Sequence, residues 1–127
     1  SDGVIVDGKG HPRGAGSFSH VLGQLTREEG QLTLMEALRK MTIMPAERLE
    51  QAAPSMRYRG RLSEGAYADI TIFDPNTIID RATYVNSAQY SEGVEYVIVN
   101  GTLVLDGGQF VAGVAPGQGV RHEAGER

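Results

Sequence analysis

The sequence contains no cysteine and no tryptophan, and only three of its 127 residues are histidine. Without cysteine, the chain can form neither a disulfide framework nor a thiolate metal site of its own. No apolar run approaches the roughly 20 residues that a membrane-spanning helix needs. Twelve basic and sixteen acidic residues give a net charge of -4, so no basic excess is available to attract nucleic acid or an anionic membrane. The composition therefore predicts a cytoplasmic protein that binds neither.

The length of the chain suits one domain with a modest core, or two small subdomains. It is well below the roughly 250 residues of a complete (β/α)₈ barrel. Because the chain begins with serine rather than methionine, we expect it to be a piece of a larger protein. Its first residues then carry no information about a signal peptide.

The first half of the chain predicts a loop followed by three short helices. Residues 1–16 carry five glycines and one proline, which favours a loop. Ser17 suits an N-cap, and Gly30 suits the end of the helix that would follow it. The apolar face of this first helix would be Phe18, Val21, Leu22 and Leu25.

The second predicted helix starts at a capping box, in which Thr33 and Glu36 satisfy each other's backbone donors. Pro45 suits the first turn of a third helix that ends before Pro54. The buried stripe of the second helix would be Leu34, Ala37, Leu38 and Met41, and the third helix would direct Leu49 and Ala52 inward.

The second half of the chain has the period of β-strands. Residues 68–73 alternate as a strand with one apolar face. Residues 96–99 and 102–105 flank Asn100-Gly101, the pair favoured in a type I′ turn, and predict a hairpin. Asp106-Gly107-Gly108 predicts a turn before a strand at Phe110-Val111. Residues 77–93 read as irregular, with a short strand around 82–85, and the boundary between helices and strands lies near 57–65.

Several short motifs follow one another in a characteristic order along the chain. They are Ser1-Asp2-Gly3, His11-Pro12-Arg13, the runs at 16–23, 36–42 and 45–46, Gly60-Arg61-Leu62, and the run at 65–75 that includes Gly65-Ala66-Tyr67-Ala68-Asp69. This series resembles the C-terminal third of an amidohydrolase, most of all the N-acyl-D-amino-acid deacylases, or D-aminoacylases. The resemblance covers residues 1–117.

The resemblance implies an α+β fragment. Residues 1–60 would form the catalytic loop and about three helices from the end of a (β/α)₈ metal-dependent hydrolase barrel. Residues 61–117 would form strands of a small β-sandwich, and residues 118–127, which include His122, a polar tail. The N-terminal partners of the sandwich and the earlier barrel strands would belong to the remainder of the same enzyme.

Asp2 is the first site residue that the resemblance implies. On the residues alone, Asp2-Gly3 is a turn. The resemblance makes Asp2 the essential aspartate, which would deprotonate a zinc-bound water and hand the proton to the leaving amine nitrogen. Asp2 could also ligate zinc. The chain offers no His-x-His and no cysteine, so the remaining ligands of one or two zinc ions would lie outside it.

Arg13 and His11 are the other implied site residues. Alone, His11-Pro12-Arg13 is an exposed loop. The resemblance makes Arg13 the anchor of the substrate's α-carboxylate, which a planar guanidinium can hold with two parallel hydrogen bonds. His11 would shape this loop or lie near the substrate, without binding metal. His20 is interpreted as a partly buried or surface residue of a helix.

Three functions remain open at this point. The first is zinc-dependent hydrolysis of the amide bond of N-acyl-D-amino acids, which His11-Pro12-Arg13 favours because it provides for a free carboxylate. The second is hydrolysis of a cyclic amide such as a hydantoin, a dihydropyrimidine or dihydroorotate. The third is a non-catalytic assembly module. Selectivity for D- over L-substrates, the preferred acyl group and homo-oligomer formation do not follow from these residues.

Overall fold

The computed structural model describes residues 3–121, so Asp2 and His122 lie outside the described residues. The helices are α1 (Arg13–His20), a π-helix (Val21–Glu28) that continues α1, α2 (Leu34–Met41), α3 (Ile43–Leu49) and a 3₁₀-helix (Pro54–Tyr58). The strands are β1 (Ile5–Val6), β2 (Lys9–Gly10), β3 (Ile70–Phe73), β4 (Val94–Val99), β5 (Thr102–Asp106) and β6 (Gln109–Phe110). Helices and antiparallel strands are both present, as the α+β prediction requires.

The predicted loop over residues 1–16 is wrong in its second part, where α1 already begins at Arg13. Pro12 precedes it with a φ of −56°, which is suited to entering a helix. Ser17 is therefore not an N-cap. It lies within α1, and its hydroxyl donates to the carbonyl oxygen of Arg13 at 2.8 Å.

The first part of the same segment is a small hairpin that the sequence reading missed. Ile5 pairs with Gly10 and Val6 with Lys9. Asp7 and Gly8 connect them with φ values of 50° and 75°, which a two-residue hairpin turn requires. Asp-Gly was therefore a usable signal at this position.

The capping box of α2 is confirmed. The backbone N–H of Thr33 donates to Glu36 Oε2 at 2.9 Å, and the backbone N–H of Glu36 donates to Thr33 Oγ1 at 3.3 Å. Ala37 in the predicted stripe is fully buried. Local sequence is sufficient here, since the cap requires only two side chains three residues apart.

The third helix is present with Pro45 near its start, but its predicted buried side chains are wrong. Leu49 is 49% exposed and Ala52 is exposed. Ala46 is buried instead, because the chain at Gly60 crosses α3 there: a Cβ on Gly60 would lie 3.1 Å from Ala46 Cβ. This close crossing requires a small residue on the buried face.

The four-stranded sheet has the order β3-β4-β5-β6, and the predicted hairpin around Asn100-Gly101 is confirmed. Asn100 and Gly101 have φ values of 46° and 77°, and Val99 pairs with Thr102. The last strand covers Gln109–Phe110, one residue earlier than predicted. A second, two-stranded sheet contains β1 and β2.

Residues 77–93 are irregular as predicted, and the irregular segment begins already at Asp74. The short strand expected around 82–85 is absent from this described segment. Its regular pairing is an isolated bridge between Ile79 and Glu92. The segment is nevertheless well packed, since Ile78 and Ser87 are only 2% and 1% exposed. The backbone N–H of Asp74 donates to the carbonyl oxygen of Gly93 at 2.9 Å and closes the segment into a loop.

Contacts group the described residues into two compact units, one within the ranges 1–37 and 72–95 and one within the ranges 38–71 and 96–127. The expected division into 1–60, 61–117 and 118–127 stays a prediction. In the second unit, Asp69 forms an ion pair with Arg59 and accepts the backbone N–H of Asn100 at 2.8 Å. Asp69 is therefore a local structural residue that joins the chain at Arg59 to the hairpin turn. Among the described residues, no helix is long and apolar enough to span a membrane.

Gly93→Ala is expected to destabilise the first unit by about 1–3 kcal/mol. Gly93 has a φ of 82°, and a Cβ there would lie 2.5 Å from the backbone nitrogen of Ile78. The matched control is Gly30→Ala in the same unit, where φ is 63° but no atom lies within 4 Å of the added Cβ. Thermal unfolding of both variants separates the cost of the positive φ from the cost of the clash. Equal losses would contradict the close approach of Gly93 to Ile78.

Candidate functional site

An open cleft of about 730 Å³ lies in the first unit, between the start of α1 and the chain at residues 80–84. Its walls combine two imidazoles, a carboxylate, a guanidinium and a phenol with small and apolar groups. The lining residues are His11, Pro12, Arg13, Gly16, Ser17, His20, Val21, Asp80, Ala82, Thr83 and Tyr84. Two of the three residues that the sequence suggested for the site, His11 and Arg13, therefore lie in one cleft.

His11 contacts both walls of this cleft. Its Nδ1 accepts the backbone N–H of Arg13 at 3.1 Å, and its Nε2 lies 3.1 Å from the hydroxyl oxygen of Tyr84. Because a backbone N–H can only donate, Nδ1 carries no proton in this arrangement, and the proton of the neutral ring belongs on Nε2. Nε2–H then donates to the oxygen of Tyr84, and the two rings meet edge to face with centroids 4.9 Å apart.

Arg13 is the first residue of α1, and its side chain is exposed. Within residues 3–121 no carboxylate forms an ion pair with its guanidinium. Asp80, the carboxylate in the cleft wall, pairs with His20 instead. As far as residues 3–121 are concerned, the donors of this planar cation are available to an anion that enters the cleft.

Asp80 packs against the opposite end of α1. Its Oδ1 accepts from His20 Nδ1 at 3.2 Å, and its side chain is 17% exposed. A Cβ on Gly16 would lie only 2.7 Å from Asp80 Cβ. Gly16 and His20 are one helical turn apart and share a face, so Asp80 approaches the helix between them. His20 is a half-exposed surface residue, as interpreted from the sequence, but it lines the cleft.

The irregular segment 74–93 is tied to the helix along most of its length. The guanidinium of Arg27 donates to the carbonyl oxygens of Ile78 at 2.7 Å and Pro75 at 3.3 Å. Ser19 Oγ donates to Ser91 Oγ at 2.6 Å. A Cβ on Gly23 would lie 2.5 Å from the carbonyl oxygen of Ile78, so the backbones approach closely there. These contacts hold Asp80 and Tyr84 beside α1.

Local electrostatics strengthen the same segment. The backbone N–H of Asn76 donates to Asp74 and holds the pKa of that carboxyl below its usual value. Arg81 donates to Glu92, which lowers the pKa of Glu92 and raises the pKa of Arg81. Both effects favour the ionised forms, although these side chains are exposed to solvent. None of these side chains lines the cleft.

Asp80, Tyr84 and Gly16 were missed by the sequence reading. No motif marks Asp80 or Tyr84, because both lie in a segment without periodicity. Asp2, the expected catalytic residue, lies outside the described residues. Among residues 3–121, no group of three or more His, Asp or Glu side chains could hold a metal ion, so the described part of the chain does not provide a zinc site.

Comparison with known proteins gives consistent matches. A family model described as "Amidohydrolase family" matches residues 8–105. N-acyl-D-glutamate deacylase of Alcaligenes xylosoxydans xylosoxydans is 43% identical over 124 residues, which are 98% of this chain and 24% of that protein. The chain therefore spans about a quarter of the length of this curated relative.

Solved structures agree with the sequence comparison. N-acyl-D-glutamate deacylase from Bordetella bronchiseptica, complexed with zinc and a phosphonate inhibitor that mimics the tetrahedral intermediate, superposes with a TM-score of 0.81. It is 42% identical, and the match covers 94% of this chain and 24% of that chain. A D-aminoacylase described with a binuclear metal centre matches at 34% identity and a TM-score of 0.79, over 90% of this chain and 23% of that chain.

Proposed function

Because the chain belongs to the amidohydrolase family, we propose that it is the C-terminal part of a zinc-dependent hydrolase of N-acyl-D-amino acids. The products would be a carboxylate and a free D-amino acid. The relatives that support this proposal are named deacylases and are about four times as long as the match. The partners of the region would be the small-molecule substrate and the remainder of the same enzyme.

The observation that carries the proposal is the guanidinium of Arg13 in the cleft, which has no ion pair among residues 3–121. A deacylase of this kind must hold the α-carboxylate of its substrate, and a guanidinium fork matches a carboxylate in geometry and charge. Arg13 lines the cleft with no ion pair in the described part of the chain. Within residues 3–121, no salt bridge of Arg13 has to break when a substrate carboxylate binds.

Asp2 would be the catalytic residue. We assign it the removal of a proton from the attacking water and the return of that proton to the leaving amine nitrogen. In the relative from Bordetella bronchiseptica zinc is bound. Since residues 3–121 offer no cluster for zinc, one or two zinc ions would be held mainly by residues beyond this region, and Asp2 could add one ligand. When bound, zinc would polarise the scissile carbonyl and acidify water.

The architecture would follow the same assignment. Residues 1–60 would close the last part of a (β/α)₈ barrel, with the cleft at its catalytic end. Residues 61–117 would contribute β3 to β6 to a small β-sandwich, and residues 118–127 would form a polar tail. Support comes from the order of the elements that follow the β1-β2 hairpin, with the helices first and the antiparallel strands β3 to β6 afterwards.

The test is hydrolysis by the complete zinc-loaded polypeptide that carries this region. N-acetyl-D- and N-acetyl-L-amino acids with acidic and apolar side chains are compared by acetate release. Release from the D-enantiomers, at a kcat/KM at least about ten times that for the L-enantiomers, is expected. Hydrolysis of hydantoins or dihydropyrimidines, with no activity on either enantiomer, would replace the proposal by a cyclic-amide hydrolase. No activity on any of these amides would favour an assembly module.

A further inference from the structure

Arg13 can bind a carboxylate tightly only if its backbone is held in place. As the first residue of α1 it has a backbone N–H without an acceptor inside the helix. His11 supplies that acceptor through Nδ1. The orientation of the His11 ring therefore affects the direction of the first turn of α1. It also affects the backbone position from which the Arg13 side chain extends.

The ring of His11 has its second anchor in Tyr84. Tyr84 is 73 residues further along the chain and is 77% exposed, so burial does not explain its position. Within residues 3–121 its hydrogen bond is the one to His11 Nε2, accompanied by the edge-to-face contact of the two rings. Without Tyr84, an exposed imidazole would rotate and hold the N–H of Arg13 only part of the time.

We propose that Tyr84 is a positioning residue for carboxylate binding, acting through His11 on Arg13. The proposal deepens the proposed function and rests on it. Its hydroxyl fixes the orientation of the His11 ring, and His11 fixes the first turn of α1. Holding a binding group in its bound geometry improves affinity because less freedom is lost when the ligand arrives. The effect belongs to substrate binding and leaves the chemical step unchanged.

Tyr84→Phe in the complete zinc-loaded enzyme tests this role. The substitution keeps the aromatic contact and removes one hydrogen bond. We expect KM for an N-acyl-D-amino acid to rise by about 2- to 10-fold, towards the lower end because Tyr84 is exposed to water. The value of kcat should stay within about twofold. Tyr96→Phe, on β4 and outside the cleft, is the matched control and should change neither constant.

Two further variants test the route through His11 and Arg13. His11→Asn places an acceptor oxygen where Nδ1 was and loses the contact with Tyr84, so it should reproduce Tyr84→Phe. The double variant should then be no worse than either single variant. In an Arg13→Gln background, Tyr84→Phe should leave KM unchanged, because the group that it positions is gone.

The outcomes separate the two proposals. An active wild type whose KM is unaffected by Tyr84→Phe overturns the positioning role and leaves the deacylase function standing. A fall in kcat at constant KM, or an increase in KM that persists in the Arg13→Gln background, overturns it as well. A wild type that hydrolyses no N-acyl-D-amino acid overturns the proposed function and the positioning role with it.

Discussion

Arg13→Gln is expected to lower kcat/KM for N-acyl-D-amino acids by about 30- to 1,000-fold, mainly through KM. A truncated partner of a charge-assisted pair leaves the other charge without compensation, which costs about 2–4 kcal/mol. Glutamine keeps hydrogen-bond donors of similar reach but lacks the charge and the fork of the guanidinium. Steady-state kinetics of the complete zinc-loaded enzyme measure the loss.

The control for this prediction is a substrate that lacks the α-carboxylate. For an N-acyl-D-amino acid amide, which has no α-carboxylate, Arg13→Gln should cost less than about threefold. Arg39 is an exposed arginine in the last turn of α2, and Arg39→Gln should leave kcat/KM unchanged for both substrates. Equal losses for the acid and the amide would mean that Arg13 acts on the fold of the cleft and not on the carboxylate.

Asp2→Asn should lower kcat by about 10²- to 10⁴-fold, the usual contribution of a general acid-base group. Asparagine has nearly the same shape but cannot accept the proton of the attacking water. KM should change little, because the carboxylate of the substrate would still meet Arg13. Acetate release under saturating substrate measures the effect.

Asp7→Asn is the matched control for Asp2→Asn. Asp7 is exposed in the turn between β1 and β2 with a φ of 50°, a conformation that asparagine tolerates equally well. The activity of Asp7→Asn should equal that of the wild type. Zinc content is measured in parallel, since a variant that loses metal together with activity would identify Asp2 as a ligand. Unchanged activity in Asp2→Asn would reduce Asp2 to a turn residue.

The sequence reading succeeded where a structure depends on neighbours a few residues apart. The capping box needs only Thr33 and Glu36, and the hairpin needs only Asn100-Gly101 between two apolar runs. The capping box satisfies free backbone N–H groups at the start of a helix, and the turn needs two residues that tolerate a positive φ. Both needs are met by residues that are neighbours in the sequence. The same reading failed at Ser17, because a good N-cap residue can also sit inside a helix, where its hydroxyl bonds to the preceding turn.

The cleft, in contrast, depends on residues that are far apart in the sequence. His11 and Arg13 were named from a motif, but half of the wall opposite them comes from Asp80 and Tyr84, which no motif marks. That segment has no helical or strand period. Its position depends on Arg27, on Ser19 and on the close approach of Gly23 to Ile78. None of these partners is near it in the chain.

By itself, the sequence determined the family and the order of the main helices and of strands β3 to β6, and it suggested the charged residues expected to meet the substrate. Motifs and turn residues carry that information because they act within a few residues. Only the tertiary structure decided that the irregular chain at residues 80–84 faces the start of α1 and that His11 bridges Arg13 and Tyr84. Contacts between segments some 70 residues apart depend on how backbones and buried side chains fit, and no local pattern encodes that fit.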